Sequence, residues 1–242
     1  MSGEPHVKAE RAEVGSKDDR PYSPAATAIL DAAEELFCAR GFSAVSMRDI
    51  AAASGQHLSS ANYYFGSKAG LFEAAFLRRI VPVNQRRLEL LDRNIQAGKC
   101  DLPDIVDAYL RPLFEGEADD AGRRARLIMM FSKQLLSNPD EHSYLQSYYD
   151  EVSRRFISQI HAARPTMDIR AAIWGYNYMI GILVFTLAGM EPMARLPEEL
   201  ARAIASDSSH EETITRLKTF ICAGLEAFAT GRPSRRGRKT HV

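Results

Sequence analysis

Between Ser23 and Lys68, helix start and stop signals follow one another so closely that only short helices fit between them. Ser23-Pro24 reads as an N-cap followed by proline at the first helical position, where its fixed φ is already helical and its missing N–H is not needed. Ile29, Ala33, Leu36, Phe37 and Arg40 then recur at helical spacing, and Gly41 stops the segment. Ser46-Met47-Arg48-Asp49 reads as a capping box with Asp in place of the usual Glu. It opens a helix over 46–54 that buries Met47, Ile50 and Ala51, and Gly55 ends it. A third short helix runs from His57 to Phe65, Gly66-Ser67 breaks the chain again, and Ser67 caps a fourth helix from Lys68 onward. The chain shows no sustained period-two alternation and no Asn-Gly or Asp-Gly turn, so the expected fold class is all-α.

Two short helices joined by a tight glycine turn make a helix-turn-helix candidate. The pair must approach closely through small side chains, which Ala51, Ala52 and Ala53 supply. The turn needs a residue tolerant of positive φ, and Gly55 is that residue. A helix that enters a groove needs short polar side chains facing out, and Ser59, Ser60, Asn62 and Tyr63 meet that need. Phosphates need a cation or a donor near a helix N-terminus, for which Arg48, Tyr64, Ser67 and Lys68 are placed. A three-helix packing unit with no nucleic-acid role fits the same spacing.

The stretch ILDAAEELFCARGFSAVSMRDIAAASGQHLSSANYYFGSKAGLFEAAF, residues 29–76, resembles the DNA-binding domain of the TetR family of bacterial regulators. E-L-F-x-x-x-G-F, S-M-R-D-I-A and Y-x-F-x-S-K-x-x-L carry the resemblance, without a gap. It implies an all-α homodimer whose residues 46–65 form the helix-turn-helix, with a C-terminal domain for ligand binding and dimerisation. It further implies that Ser46 and Arg48 reach DNA from the first helix of the motif. His57, Ser59, Ser60, Asn62 and Tyr63 would face the major groove, and Tyr64, Ser67 and Lys68 would hold phosphates. Gln56 and Ala61 depart from the pattern, which commonly has a buried Val and a larger Leu there. Leu58 suits either the core or a thymine methyl.

Lys+Arg is 31 and Asp+Glu is 31, which excludes a globally basic nucleic-acid coat but not a local basic footprint. The expected organisation is a flexible tail over 1–23, a DNA-binding domain over 24–82, a ligand-binding and dimerisation domain over 83–230, and a basic tail over 231–242. Residues 1–23 have no apolar core of the kind a secretory signal needs. Cys38, Cys100 and Cys222 are far apart with no Cys-x-x-Cys, which suits a reducing cytoplasm. Further helices are expected from Pro103 through Glu115, over Arg123–Ser137, Pro139–Ala163, 168–190 and 211–229. A polar loop is expected at 116–122, and a short helix and loop at 196–210. Arg235-Arg236-Gly237-Arg238-Lys239 resembles the core of a minor-groove hook, but the flanking prolines of that motif are incomplete and a solubilising charged tail is the favoured reading.

Residues 171–190 carry no charge for twenty positions, long enough for a membrane span. Asn177, the glycines and the lack of a cationic flank favour a helix buried in protein instead. Ile214, Leu217, Ile221, Gly224 and Phe228 follow 3-4 spacing and, with Gly181 and Ala188, suggest a four-helix dimer seam. Arg126, Met129, Met130, Trp174, Tyr178 and Phe185, with Phe131 and Met179, are candidate lining for an adaptable apolar pocket, although such residues at helical spacing are usually plain core. Arg123, Arg124 and Arg126 are the candidate partners for a polar head group. The W-x-x-x-Y-M-x-G-x-x-x-F-x-x-x-G run from Trp174 to Gly189, with NYYFGSK, is similar to the fatty-acid-responsive branch of the family. That similarity implies a fatty acid or acyl thioester as effector.

The chain has no Gly-x-Ser-x-Gly, no phosphate-binding loop and no His-Glu-x-x-His, and its six His include no i,i+4 pair. No catalytic residue, metal site or cofactor is therefore expected. The reading is a cytoplasmic, ligand-responsive regulator, a repressor that binds palindromic operator DNA. A small all-α enzyme or binding protein for a hydrophobic ligand is the alternative, and a membrane-anchored interaction protein is a third.

Overall fold

In the computed structural model, which describes residues 22–116, 118–137, 146–188, 197 and 209–230, the Ser23 hydroxyl accepts from the Ala26 N–H at 3.2 Å and starts α1 (Pro24–Arg40). At its end the Gly41 N–H bonds the Phe37 carbonyl at 2.8 Å. The capping box at Ser46 forms with Asp49 as its fourth member and opens α2 (Met47–Ala53). The Asp49 N–H donates to Ser46 Oγ at 3.2 Å, and Asp49 Oδ2 accepts from the Ser46 N–H at 2.8 Å and from the Ser46 hydroxyl at 2.6 Å. These bonds hold the Asp49 carboxyl below the usual range. Then come α3 (Leu58–Phe65) and α4 (Lys68–Gln96). The remaining described helices are α5 (Leu102–Leu110), α6 (Ala118–Ser137), α7 (Gln146–Ala163), α8 (Ile169–Ala188) and α9 (His210–Thr230). Among the described residues there is no strand.

Several boundaries differ from expectation. The sequence predicts a helix through Glu115, but α5 stops at Leu110 and a 3-10 turn, Arg111–Leu113, follows. Pro112 cannot donate to the Ala108 carbonyl, so the α pattern ends there. The expected loop at 116–122 is largely helix, since α6 begins at Ala118. α4 runs unbroken through Pro82, where a domain boundary is expected. Pro82 is exposed, and it removes one bond, to the Arg78 carbonyl. The expected helix start at Pro139 and nearly all of 196–210 lie outside the described residues, as do 1–21 and 231–242.

A single apolar core runs from Ile29 of α1 to Leu225 of α9. Its spine is aromatic. Phe37 meets Phe72 edge-on at 5.1 Å, Phe72 stacks on Phe131 at 5.6 Å, and Phe131 stacks on Phe76 at 3.8 Å. Beside it the fully buried Glu34 of α1 is held by Arg78 and Arg79 of α4, and Arg78 also reaches Asp31 at 2.8 Å. Core and clasp together fix the short N-terminal helices to the long α4. At the other side Asp107 of α5 binds Arg111 at 2.7 Å and Lys218 of α9 at 3.0 Å, and Arg111 reaches Glu211 at 3.0 Å. Burial alone would raise the Asp107 carboxyl, but the bonds from Arg111 and Lys218 outweigh it and hold it below the usual range.

Candidate nucleic-acid interface and effector site

The turn between α2 and α3 closes through two backbone bonds, Gly55 N–H to the Ala52 carbonyl at 3.3 Å and Gln56 N–H to the Ala51 carbonyl at 3.0 Å. Gly55 has φ +66°, a region that L side chains seldom enter. Ala51 is buried as expected of a packing surface, whereas Ala52 and Ala53 are exposed, because a helix this short turns only one side to its neighbours.

Of the two departures from the pattern, Ala61 in α3 finds a physical account, and Gln56 lies in the turn before it. Ala61 is fully buried in the core, and Phe65 packs half-buried four residues on. The small side chain lets α3 sit close, and Gln56 stands half-buried at its approach. Leu58 lies on the same stripe at i,i+3 and is half-buried. Opposite that stripe Ser59, Asn62 and Tyr63 are exposed at i, i+3 and i+4, with Tyr63 at 83%. Ser60 is half-buried and Tyr64 is exposed beside them. Tyr63 and Tyr64 meet edge-on at 5.3 Å. His57 is the exposed N-cap of α3 and makes no side-chain capping bond.

The residues named for phosphates differ in their commitments. Arg48 is exposed on α2. The Ser46 hydroxyl is engaged within its capping box. Ser67 caps α4 by accepting from the Gly70 N–H at 3.1 Å. Lys68 Nζ donates to the Phe42 carbonyl at 3.1 Å.

The residues named for an effector pocket do not converge. Met129 and Met130 are half-buried on α6, where Arg126 is exposed. Phe131 and Met179 are buried in the core. Trp174, Tyr178 and Phe185 stand outside, at 58%, 53% and 64% exposed. Ala172, Tyr176, Met179 and Leu183 take the inner stripe of α8, so residues two positions away fall on the opposite side. Tyr178 stacks on Trp174 at 5.7 Å and on Phe228 of α9 at 6.0 Å. Tyr178 and Phe185, with Phe220, Gly224 and Phe228, line an open groove of about 680 Å³ between α8 and α9. The two helices close on each other at Gly175, where a Cβ would lie 2.4 Å from Leu225 Cδ2.

The expected seam on α9 divides in the same way. Ile214, Leu217 and Ile221 are buried with Leu225 inside the chain, whereas Gly224 and Phe228 face outward with Phe220. The 220, 224, 228 spacing was a legible second stripe. Of the head-group candidates, Arg124 donates to the Pro112, Leu113 and Glu115 carbonyls and so closes the end of the 3-10 turn. The Arg123 carbonyl lies 3.8 Å from Cys38 Sγ. Burial pushes the Cys38 thiol up, with Arg126 beside it pulling the other way.

Residues 29–75 match the family described as bacterial regulatory proteins, tetR family, and residues 107–224 match the tetracyclin repressor-like C-terminal domain. No curated protein matches the chain. Among solved structures it is similar to a bacterial regulatory protein in the tetR family from Rhodococcus RHA1, with 17% identity over 84% of this chain and 98% of that one and a TM-score of 0.61. It is similar to the fatty acid degradation regulator FadR from Bacillus halodurans at 14% identity, over 90% of this chain and 100% of that one, with a TM-score of 0.55. A TetR-like transcriptional regulator from Rhodococcus sp. RHA1 shares 17% identity over 88% of this chain and 99% of its own, with a TM-score of 0.53. At these identities the likeness concerns the fold.

Proposed function

Because the chain belongs to the TetR family and is thereby a DNA-binding transcriptional regulator, we propose that it works as a homodimeric repressor released from a palindromic operator by an apolar effector. The DNA-reading part spans residues 24–82 and the effector and dimerisation part spans 83–230, with α4 belonging to both. The observation that carries the reading is α3 itself. A helix of eight residues is fastened by Ala61 and Phe65 and turns Ser59, Asn62 and Tyr63 to solvent. Small polar donors and an aromatic edge on an anchored helix are what base edges in a major groove require. His57 and Ser60 flank the reading face, while Ser46, Arg48, Tyr64, Ser67 and Lys68 border it toward the phosphates.

The outward stripes of α8 and α9 suit a second copy. Trp174, Tyr178, Phe185, Phe220 and Phe228 are too many exposed apolar groups to leave in water, and Gly181 and Gly224 allow two backbones to approach. No helix among the described residues is long and apolar enough to cross a membrane. The proposed site of action is the cytoplasm, where operator DNA lies. The effector acts only if it prefers the conformation whose α3 helices are misplaced, and by reciprocity operator DNA weakens effector binding by the same factor. A fatty acid or its thioester is the effector class, which the fold it shares with a fatty acid degradation regulator supports. Titrating acyl chains of rising length against the operator complex tests this. Release that strengthens with length is expected, and no release by any chain discards the lipid effector.

A further inference from the structure

The buried polar and charged side chains among the described residues are Glu34, Asn84 and Arg87. Glu34 has two arginines. Arg87, on α4 and 3% exposed, has no carboxylate within ion-pair distance among the described residues. Its Nε donates to the Tyr109 carbonyl oxygen at 2.8 Å and its Nη1 to Asn84 Oδ1 at 3.0 Å, and its guanidinium lies 3.8 Å over the Tyr109 ring. A guanidinium offers five N–H donors, and a buried charge is costly unless an opposite charge meets it.

The Tyr109 ring beneath that cation leads on to hydroxyl-bearing side chains of two further helices. Tyr109 of α5 meets Tyr176 of α8 edge-on at 5.6 Å, and Ser153 of α7 donates to the Tyr176 hydroxyl at 3.2 Å. Burial pushes the phenols of Tyr149 and Tyr176 well above the ordinary tyrosine range, although Arg87 pulls both the other way. They remain protonated donors at neutral pH. Beyond them the setting is apolar, with Phe156 against Tyr109 at 5.1 Å and Met179 and Leu183 following Tyr176 on the inner stripe of α8.

We propose that Arg87 anchors the carboxylate of a singly charged, apolar-bodied effector within the C-terminal unit, and that the Tyr149 and Tyr176 hydroxyls complete the head-group site. This rests on the effector-released regulator above and narrows its effector to the free acid. A planar carboxylate matches the guanidinium fork and cancels its charge. An ester or alcohol leaves the buried cation unpaired, and the phosphates of an acyl thioester carrier bring several charges to a site with one cation. Arg87 shares α4 with the Glu34 clasp, so a ligand that moves Arg87 acts on the helix that carries the DNA-reading unit.

The test is calorimetry of the full chain with dodecanoate, methyl dodecanoate, dodecan-1-ol and dodecanoyl coenzyme A, with circular dichroism as the check on folding. Dodecanoate should bind one per subunit, and the ester and alcohol should bind at least about 30-fold more weakly. Arg87→Met should abolish the preference for the acid, and Arg87→Lys should retain part of it. Should Arg87→Met not fold, the acid-to-ester ratio of the natural chain decides by itself. Equal binding of acid and ester overturns the Arg87 anchor and leaves the regulator reading in place, as does preference for the thioester. Absence of binding by all four probes overturns the anchor too, while operator binding by the unliganded protein tests the regulator reading separately.

Discussion

The Lys68 ammonium donates to the Phe42 backbone carbonyl at 3.1 Å and lies 4.4 Å from the centroid of the Phe42 ring. The first residue of α4 is thereby tied to the loop that follows α1. A side chain expected from sequence to hold a phosphate is also a strut of the unit that would bind DNA. Arg48, exposed on α2, makes no hydrogen bond or ion pair among the described residues.

The two cations should therefore separate in mutation. Lys68→Met should lower stability by about 1 kcal/mol, through the lost hydrogen bond and cation–π contact. Arg48→Ala should leave stability within about 0.5 kcal/mol of the natural chain. It should weaken binding to all DNA sequences alike and flatten the salt slope by about one unit. Denaturation curves and salt titrations of DNA affinity check both. An unchanged salt slope in Arg48→Ala would remove Arg48 from the interface.

Base readout should fall to the exposed side of α3. Asn62→Ala and Ser59→Ala should change sequence preference at one or two positions in each half-site, by about 1–3 kcal/mol for a bidentate contact. Their effect on stability should be small, since both side chains face solvent. Selection of binding sites with each variant reads this directly. A uniform loss across all sequences would assign these residues to the phosphates instead.

Much of this arrangement was legible in the sequence. The Ser46–Asp49 box, the glycine turn and the caps at Ser23 and Ser67 are local signals, set by hydrogen bonds within a few residues, and they form where the spacing puts them. What the sequence could not assign was the side each apolar stripe faces. α8 is apolar on both sides, so Trp174, Tyr178 and Phe185 could not be told from Tyr176, Met179 and Leu183 without the packing of α9 at Gly175. Arg87 was hidden for a similar reason. It stands in the polar run QRRLEL and reads as solvated, and its burial becomes visible only once α5 lies across α4.

The exposed aromatic stripes give a prediction about assembly. The natural chain should be a dimer at micromolar concentration, and its unfolding midpoint should rise with concentration. Phe220 is 68% exposed, so Phe220→Glu should leave the fold of one chain intact while placing a charge in the groove between α8 and α9. Light scattering should then report a monomer. A monomeric natural chain, or a dimer indifferent to Phe220→Glu, would move the interface elsewhere.

Acid should loosen α9 first. Asp107, Glu211 and Glu226 are all held below the usual carboxylate range, the last two by Arg111 and Arg164. A depressed carboxyl contributes stability that is complete above its unfolded value of about 4 and is lost as pH falls through the folded one. The melting midpoint should thus be flat near neutrality and drop below about pH 4. Asp107→Asn should lower the midpoint at neutral pH and blunt the acid transition. An acid transition of unchanged depth in that variant would place the proton uptake on other carboxylates.

The most direct measurement is selection of random duplex DNA by the full-length protein, followed by sequencing of what it retains. Two α3 helices related by a two-fold axis should recover a palindrome whose half-sites lie about one helical turn, or a near multiple, apart. Retained DNA with no enriched sequence, or with a single unpaired half-site, would contradict a dimer that reads its operator through α3.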